Sequence, residues 1–356
     1  LYTAYQAGNL LALEPLSIQY HDYAVWERQH LTEKAFERSL DFWQQQLTGY
    51  EDLDIMPKLG RPRELSGAGR RIDEVIPPHI DKGLRQLCDS AGVSQTAVLV
   101  AAVKLLLNQY SQNADFCMGI PTANRDRKEL EGVVGMLVNI LVVRLGQQDD
   151  EQSLSGFLQH THSMIQQGLL HLDVPFDKIV GRLKPERDLS RNPVFQVFVS
   201  YIEFTNVLQF GDQKVTFKPY DGNQARFDLS FDFGHNSHGD LTLALEYSSD
   251  LFSPHFINDL VENLQFILAE MANSQVNQQV QYLQQMRYVD PTQINMQVAW
   301  GEGPVMEDVE PQRFQVVDQI DKNIILHGED RALSCNEQTL TYSEFGKRVN
   351  LSLIHI

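Results

Sequence analysis

Residues 78–110 read PHIDKGLRQLCDSAGVSQTAVLVAAVKLLLNQY, and this stretch decides the fold class. Pro78 suits the first turn of a helix, where its missing N–H loses no bond, so a helix is predicted over Pro78 to Ala91. Ser94 then offers an N-cap for a second helix, Gln95 to Tyr110. That helix is apolar on nearly all sides, the pattern of one buried within a core. Its longest apolar run, Ala97 to Leu107, is interrupted by Lys104 and is much shorter than the roughly 20 residues needed to span a bilayer.

Strand signals surround this pair. Arg71 to Ile76 precedes it, and Phe116 to Ile120 and Leu137 to Leu145 follow. Leu137 to Leu145 is almost continuously apolar, as suits a sheet covered on both faces. Ser153 to Leu170 reads as a helix and Pro193 to Tyr201 as an aromatic and β-branched strand. Beyond Ala225, two strand-like runs flank the polar turn Gly234 to Gly239, and Pro254 to Met271 closes the unit as an amphipathic helix. Alternation of this kind predicts a mixed α/β core.

Upstream, Ser17 to Leu47 carries Tyr23, Trp26, His30, Phe36, Leu40 and Trp43 at helical spacing, which predicts one or two amphipathic helices. Pro57, Gly60, Pro62, Gly67 and Gly69 then form a breaker-rich crossing, and a new folding unit is expected near Arg70. After Ala272 the composition shifts to Gln and Asn, with breakers from Pro291 to Pro311, as in a linker. Leu340-Thr341-Tyr342-Ser343-Glu344-Phe345 has the character of a strand running into a helix cap.

Lys and Arg number 29 against 47 Asp and Glu, a formal charge of −18 over 356 residues. Such a balance disfavours nucleic acid or an anionic membrane as partner, because both need phosphates neutralised. Three cysteines lie far apart, so neither a disulfide framework nor a metal knuckle is indicated, and a cytoplasmic setting fits. The start, Leu1-Tyr2-Thr3-Ala4-Tyr5, has no basic or cleavage pattern of a signal peptide and reads like the middle of a helix. None of the 11 histidines are adjacent. His160 and His162 fall on different helix faces, which is poor geometry for a shared metal, and His235 and His238 fit a solvated hairpin. No metal site is expected.

Four segments carry more. They are Tyr20-His21-Asp22-Tyr23-Ala24-Val25-Trp26, Val134-Gly135-Met136-Leu137-Val138-Asn139, His171-Leu172-Asp173-Val174-Pro175-Phe176-Asp177, and Arg187-Asp188-Leu189-Ser190-Arg191-Asn192-Pro193-Val194-Phe195-Gln196. Tyr20, Tyr23 and Trp26 form an aromatic stripe of the kind that packs. Asn139 interrupts an apolar strand, so it is either a satisfied core amide or a group lining a pocket. Val174-Pro175 sets an extended turn between helices. Arg187, Asp188 and Arg191 before Pro193 suit a turn knitted by ion pairs, at a channel mouth or elsewhere.

In this order and spacing the four segments closely resemble core motifs of the condensation domains of non-ribosomal peptide synthetases. Asn113 to Pro121 and on through Arg125, Ala225-Arg226-Phe227-Asp228-Leu229 and Glu246 to Phe252 are similar to further stretches of that family. The resemblance covers about residues 1 to 272. It implies an α/β fold like that of chloramphenicol acetyltransferase: two lobes in a V with a tunnel at their junction. It implies amide formation, in which a carrier-bound aminoacyl amine attacks an acyl or peptidyl thioester on an upstream carrier. Phosphopantetheine belongs to those carrier domains, and the condensation part is expected to bind no cofactor. Asn139 is implied to face the tunnel. Tyr20, Asp22, Tyr23, Trp26, Gly135, Pro175, Phe176, Arg187, Asp188, Arg191, Asn192 and Pro193 are motif residues expected to be structural.

The family's catalytic motif, His-His-x-x-x-Asp-Gly, is not in this sequence, and Asp221-Gly222 lacks the paired histidines to replace it. No catalytic residue is therefore expected here, the first lobe is expected to be mostly missing, and the chain alone is expected to be inactive. Leu340 to Phe345 is similar to the first motif of adenylation domains, whose ATP and Mg sites lie farther on. The implied order is 1–66, the end of the first lobe and the inter-lobe helices; 67–272, the second lobe; 273–312, a linker; and 313–350, a truncated adenylation start. Residues 351–356 read like a translated sequencing adapter, so no structure is expected there. A non-catalytic module that docks carrier proteins and an acyltransferase using coenzyme A are the alternatives.

Overall fold

The computed structural model describes residues 5–6, 8, 16–30, 34–55, 60–111, 113–146, 153–202, 209–210, 213–214, 222–274, 322–335 and 338–354. Two compact units result, Leu1–Pro291 and Thr292–Ile356. The first opens with α1 (Tyr20–His30) and α2 (Lys34–Leu47). Then come β1 (Gly69–Val75), α3 (Pro78–Ala91), α4 (Gln95–Tyr110), β2 (Cys117–Thr122) and β3 (Asn139–Arg144). Next are α5 (Leu154–Leu169), α6 (Phe176–Leu183), β4 (Phe195–Ile202) and a small hairpin of β5 (Gln209–Phe210) and β6 (Gln213–Lys214). The unit ends with β7 (Leu229–His235), β8 (Leu241–Ser248) and α7 (Pro254–Asn273).

Six strands form one sheet in the order β1-β8-β7-β4-β2-β3. β4 runs parallel to both β2 and β7, and the remaining pairs are antiparallel. The mixture follows from the connections: β7 and β8 are joined by a tight hairpin, whereas β2, β4 and β7 need long crossovers. The predicted helix starts are where the sequence puts them. Pro78 sits in the first turn of α3, and the Ser94, Ser153 and Ser253 hydroxyls accept from backbone amides of Ala97, Gly156 and Phe256.

Every residue from Ala97 to Leu107 is buried, Lys104 included at 0 % exposure. The Lys104 ammonium donates to the Ala114 carbonyl and lies 3.7 Å from the centroid of the Phe116 ring. Burial lowers its pKa from 10.5 to about 8, with the Asp115 charge pulling the other way. Among the described residues no single helix is long and apolar enough to cross a membrane, and α3 and α4 meet at 108°.

The helices ahead of Arg70 do not stand apart from the sheet: Phe36, Leu40, Trp43, Leu47, Leu53 and Ile55 share one continuous core with residues from Ile76 to Met271. Arg70 lies in a strand of that unit, and the breaker-rich crossing runs within it. His235, expected in a solvated turn, instead ends β7 with its side chain only 8 % exposed, because a strand terminus tucked against α3 is not solvated. His238 does stay exposed in the turn. His162 meets the Ser94 backbone and hydroxyl at 3.4 and 3.3 Å, while His160 points to solvent.

In the second unit β9 (Arg331–Cys335) and β10 (Gln338–Thr341) form a hairpin that runs into α8 (Tyr342–Ile354). The expected cap is there: the Glu344 amide donates to Thr341 Oγ1 at 3.3 Å, and the Thr341 amide donates to Glu344 Oε2 at 3.1 Å. α8 takes in 351–354, where no structure was expected, since residues after a sound cap extend a helix readily. Asp221, residues 275–312 of the linker, 313–321 of the expected adenylation start and 355–356 lie outside the described residues.

Candidate functional site

A cleft of about 510 Å³ opens between α1, the loop from Asn124 to Asn139 and the turn from Leu169 to Lys178. Three of the four motif segments meet around it. Tyr20 donates from its hydroxyl to the Met136 carbonyl at 3.2 Å, and its ring lies so close to Gly135 that a Cβ there would sit 2.2 Å from it. Only glycine permits that approach. Tyr23 donates to Glu27 Oε1 at 3.1 Å and accepts from Asn124 Nδ2 at 3.2 Å. Burial first, and the Glu27 charge second, push the Tyr23 phenol up to about 12. Tyr23 also joins Leu130, Val133 and Leu137 in a small separate core.

Trp26 faces the cleft with 38 % of its surface exposed. Its ring stacks on His30 at 5.0 Å, and the Arg127 guanidinium lies 4.6 Å from its centroid, an aromatic–cation contact. The stripe predicted to pack is therefore divided: both rings border the cleft, but Tyr23 is buried and Trp26 is exposed. Asp22 serves α1, accepting from the Gln19 amide at 2.9 Å and stabilising the positive end of the helix.

Asn139 resolves both readings of its amide. Nδ2 donates to the carbonyls of Leu172 and Val174 at 3.0 and 2.9 Å, and Oδ1 accepts from the amides of Ile140 and Phe176 at 2.8 and 3.2 Å. Asn139 is thus a saturated clamp on the Leu172–Phe176 turn and also part of the cleft wall. Pro175 caps α6 in an extended conformation, which aims the Phe176 amide at Asn139, and the Phe176 ring packs at 5.4 Å on Phe195. His30 and Asp173 face each other across the cleft floor at 3.7 Å.

The fourth segment is elsewhere. No residue from 187 to 196 lines this cleft; the turn is held by polar partners from loops elsewhere in the unit. Asp188 accepts from the Ser190 amide and hydroxyl at 2.8 and 2.6 Å, and these bonds hold its carboxyl below the usual range. Arg191 lies 3.6 Å from Asp188 and donates to the Leu53 carbonyl at 3.0 Å. Asn192 donates to the Arg226 carbonyl at 2.7 Å, and Pro193 leads into Val194, held at φ +74°. Arg187 is exposed. Arg61 completes the cluster, donating to the Ser190 carbonyl at 2.6 Å and forming a bidentate pair with Asp228, which is 2 % exposed. Burial raises the Asp228 pKa and Arg61 opposes it.

Arg61 and Arg127 were not singled out from the sequence, and Asn124 stood there only within the Asn113–Arg125 stretch. Each works through a partner far along the chain, for which local spacing carries no signal.

The fold and the motif-lined cleft define a condensation domain: the model of that family matches residues 1–293, and the chain belongs to it. Similarity extends to a linear gramicidin synthase of Brevibacillus parabrevis, 28 % identical over 98 % of this chain and 7 % of that protein. Tyrocidine synthase 3 of the same organism is 30 % identical over 95 % of this chain and 5 % of its own length. The chain thus spans under a tenth of the length of these relatives. Among solved structures, the X-domain from teicoplanin biosynthesis superposes with a TM-score of 0.69 at 24 % identity, over 78 % of this chain and 65 % of that one. A four-domain nonribosomal peptide synthetase does so with 0.69 at 21 %, over 91 % and 25 %. These likenesses confirm the condensation-domain fold, a mixed α/β unit on a central sheet.

Proposed function

We propose that this chain is the carboxyl-terminal part of a condensation domain in a non-ribosomal peptide synthetase. There a carrier-bound aminoacyl amine attacks the thioester carbonyl of an upstream carrier-bound acyl or peptidyl group. The new C–N bond forms as the C–S bond breaks, releasing the upstream phosphopantetheine thiol. The observation that carries this reading is the convergence of three motif segments on one cleft within a chain that belongs to the family. Here the chain supplies a wall: Trp26, Arg127 and the Asn139-clamped turn shape the channel, while the attacking amine is activated by a His-His-x-x-x-Asp-Gly motif that this sequence lacks.

The second unit is read as the start of an adenylation domain after a linker. Two relatives aligned over 98 % and 95 % of the chain support this order, as does the Thr341–Glu344 cap following the β9–β10 hairpin. ATP and Mg would be bound by the remainder of that domain, and carrier domains on either side would be the partners. A cytoplasmic location accords with such an assembly.

Amide formation between two loaded carrier proteins tests the reading. The 356-residue chain alone is expected to give no product, and the same chain joined to a first lobe bearing the paired histidines is expected to give product. Product from the chain alone, or from the joined protein with its second histidine replaced, would overturn it.

A further inference from the structure

Away from the cleft, five side chains from four elements close a ring at the carboxyl ends of β4 and β7. Asp81 and Arg85 come from α3, Gln95 from the start of α4, Tyr201 from β4 and His235 from β7. Arg85 Nε donates to Asp81 Oδ2 at 3.1 Å, and its Nη2 lies 2.6 Å from His235 Nε2. Tyr201 Oη lies 3.4 Å from His235 Nδ1 and donates to Gln95 Oε1 at 3.0 Å. Gln95 Nε2 returns to Asp81 Oδ1 at 3.3 Å.

Proton positions around this ring are forced from two directions. An Asp carboxylate only accepts, so the Gln95 amide must turn its NH₂ to Asp81 and its oxygen to Tyr201. That oxygen takes the single Tyr201 hydroxyl proton, leaving the Tyr201 oxygen to accept, so His235 must carry its proton on Nδ1. From the other side, a guanidinium only donates, so His235 Nε2 facing Arg85 must be bare. Both arguments give the same neutral tautomer.

From this geometry we infer that the ring is a proton-operated clasp joining the ends of β4 and β7 to α3 and α4. With His235 neutral, all five groups are satisfied. A second proton on His235 can go only to Nε2, where it meets an Arg85 N–H and a like charge at 2.6 Å. The ring then opens: Arg85, already 47 % exposed, swings to solvent, and His235 Nε2–H turns to Asp81 Oδ2, 3.5 Å away. Asp81, Arg85 and Tyr201 are the titratable and charged groups facing His235, while Asp240 of the adjoining turn is held by the Asn236 amide at 3.1 Å.

The test is NMR on the full chain with ¹⁵N-labelled histidine, paired with amide hydrogen exchange. At neutral pH, long-range ¹H–¹⁵N correlations are expected to place the His235 proton on Nδ1. As His235 takes up its second proton, the two Arg85 bonds give way to one from His235 to Asp81, and exchange at the carboxyl end of β7 and in the first turns of α3 is expected to rise about tenfold over the intrinsic pH effect, the loss of roughly one net hydrogen bond. In His235→Gln the rise is expected to vanish. Arg85→Gln, a change at a half-exposed side chain that spares the core, is expected to abolish it as well. A proton on Nε2 at neutral pH, or an undiminished rise in either variant, would overturn the inference.

Discussion

Replacing Lys104 by methionine is expected to remove a rise in the stability of the first unit that begins near pH 8. Buried in α4, Lys104 has a pKa of about 8 in the folded chain against 10.5 when exposed. Below pH 8 the ammonium is present in both states and its desolvation penalty is fully felt. Between pH 8 and 10.5 the folded chain holds the neutral amine while the unfolded chain still binds the proton, so stability rises with pH. One proton corresponds to about 1.4 kcal/mol per pH unit, and the full interval to about 3 kcal/mol.

Two thiols oppose this. Burial pushes Cys88 up to about 11 and Cys117 to about 12 from 9.0, so above pH 9 the unfolded thiols ionise first and stability falls. The Lys104 contribution is cleanest between pH 8 and 9. Urea unfolding followed by circular dichroism, compared between the chain and Lys104→Met, reads the difference directly. The gap between the two is expected to shift by about 1 kcal/mol in favour of the wild type from pH 8 to 9, and by about 3 kcal/mol by pH 10.5. At pH 7 the variant escapes the penalty but leaves the Ala114 carbonyl without its donor, about 1–3 kcal/mol, so the two should be close in stability. Parallel pH profiles would refute the assignment of a buried, charged Lys104.

Arg61→Ala is expected to destabilise by about 3–5 kcal/mol in urea unfolding by leaving the buried Asp228 carboxylate unpaired, and adding Asp228→Asn should recover part of that loss. Asn139→Ala should cost about 1–3 kcal/mol by stripping the Leu172–Phe176 turn of its clamp, seen as faster amide exchange at Phe176; unchanged protection there would contradict the clamp. Gly135→Ala drives a methyl into the Tyr20 ring and should cost about 1–3 kcal/mol, with the Tyr20 to Met136 bond lost in a crystal structure. Met136 and Leu170, 77 % and 80 % exposed beside the cleft, should promote self-association; a Met136→Lys, Leu170→Lys double variant that sediments like the parent would argue against it.

The elements with local signals were legible from sequence. Pro78, Ser94, Ser153 and Ser253 each start a helix as their chemistry dictates, and Thr341 with Glu344 does so reciprocally. The motif segments identified the family before any contact was known. Trp26 shows where that legibility stops: its spacing matches Tyr23, yet Tyr23 is buried against Leu130, Val133 and Leu137 of the Asn124–Asn139 loop, while Trp26 meets only Arg127 of that loop and stays 38 % exposed.

By itself, the sequence determined the alternation of strands and helices, the buried character of α4 and the family, since these depend on residue order and apolar period. Tertiary structure alone decided the pairings: Arg61 with Asp228, Arg127 over Trp26, Asn139 across to Leu172 and Val174, and His235 within its ring. It also fused the helices before Arg70 into the core of the sheet and drew the Arg187–Gln196 turn away from the cleft. A buried charge or amide must find its partner wherever the chain returns, and separations of more than a hundred residues leave no trace in local spacing.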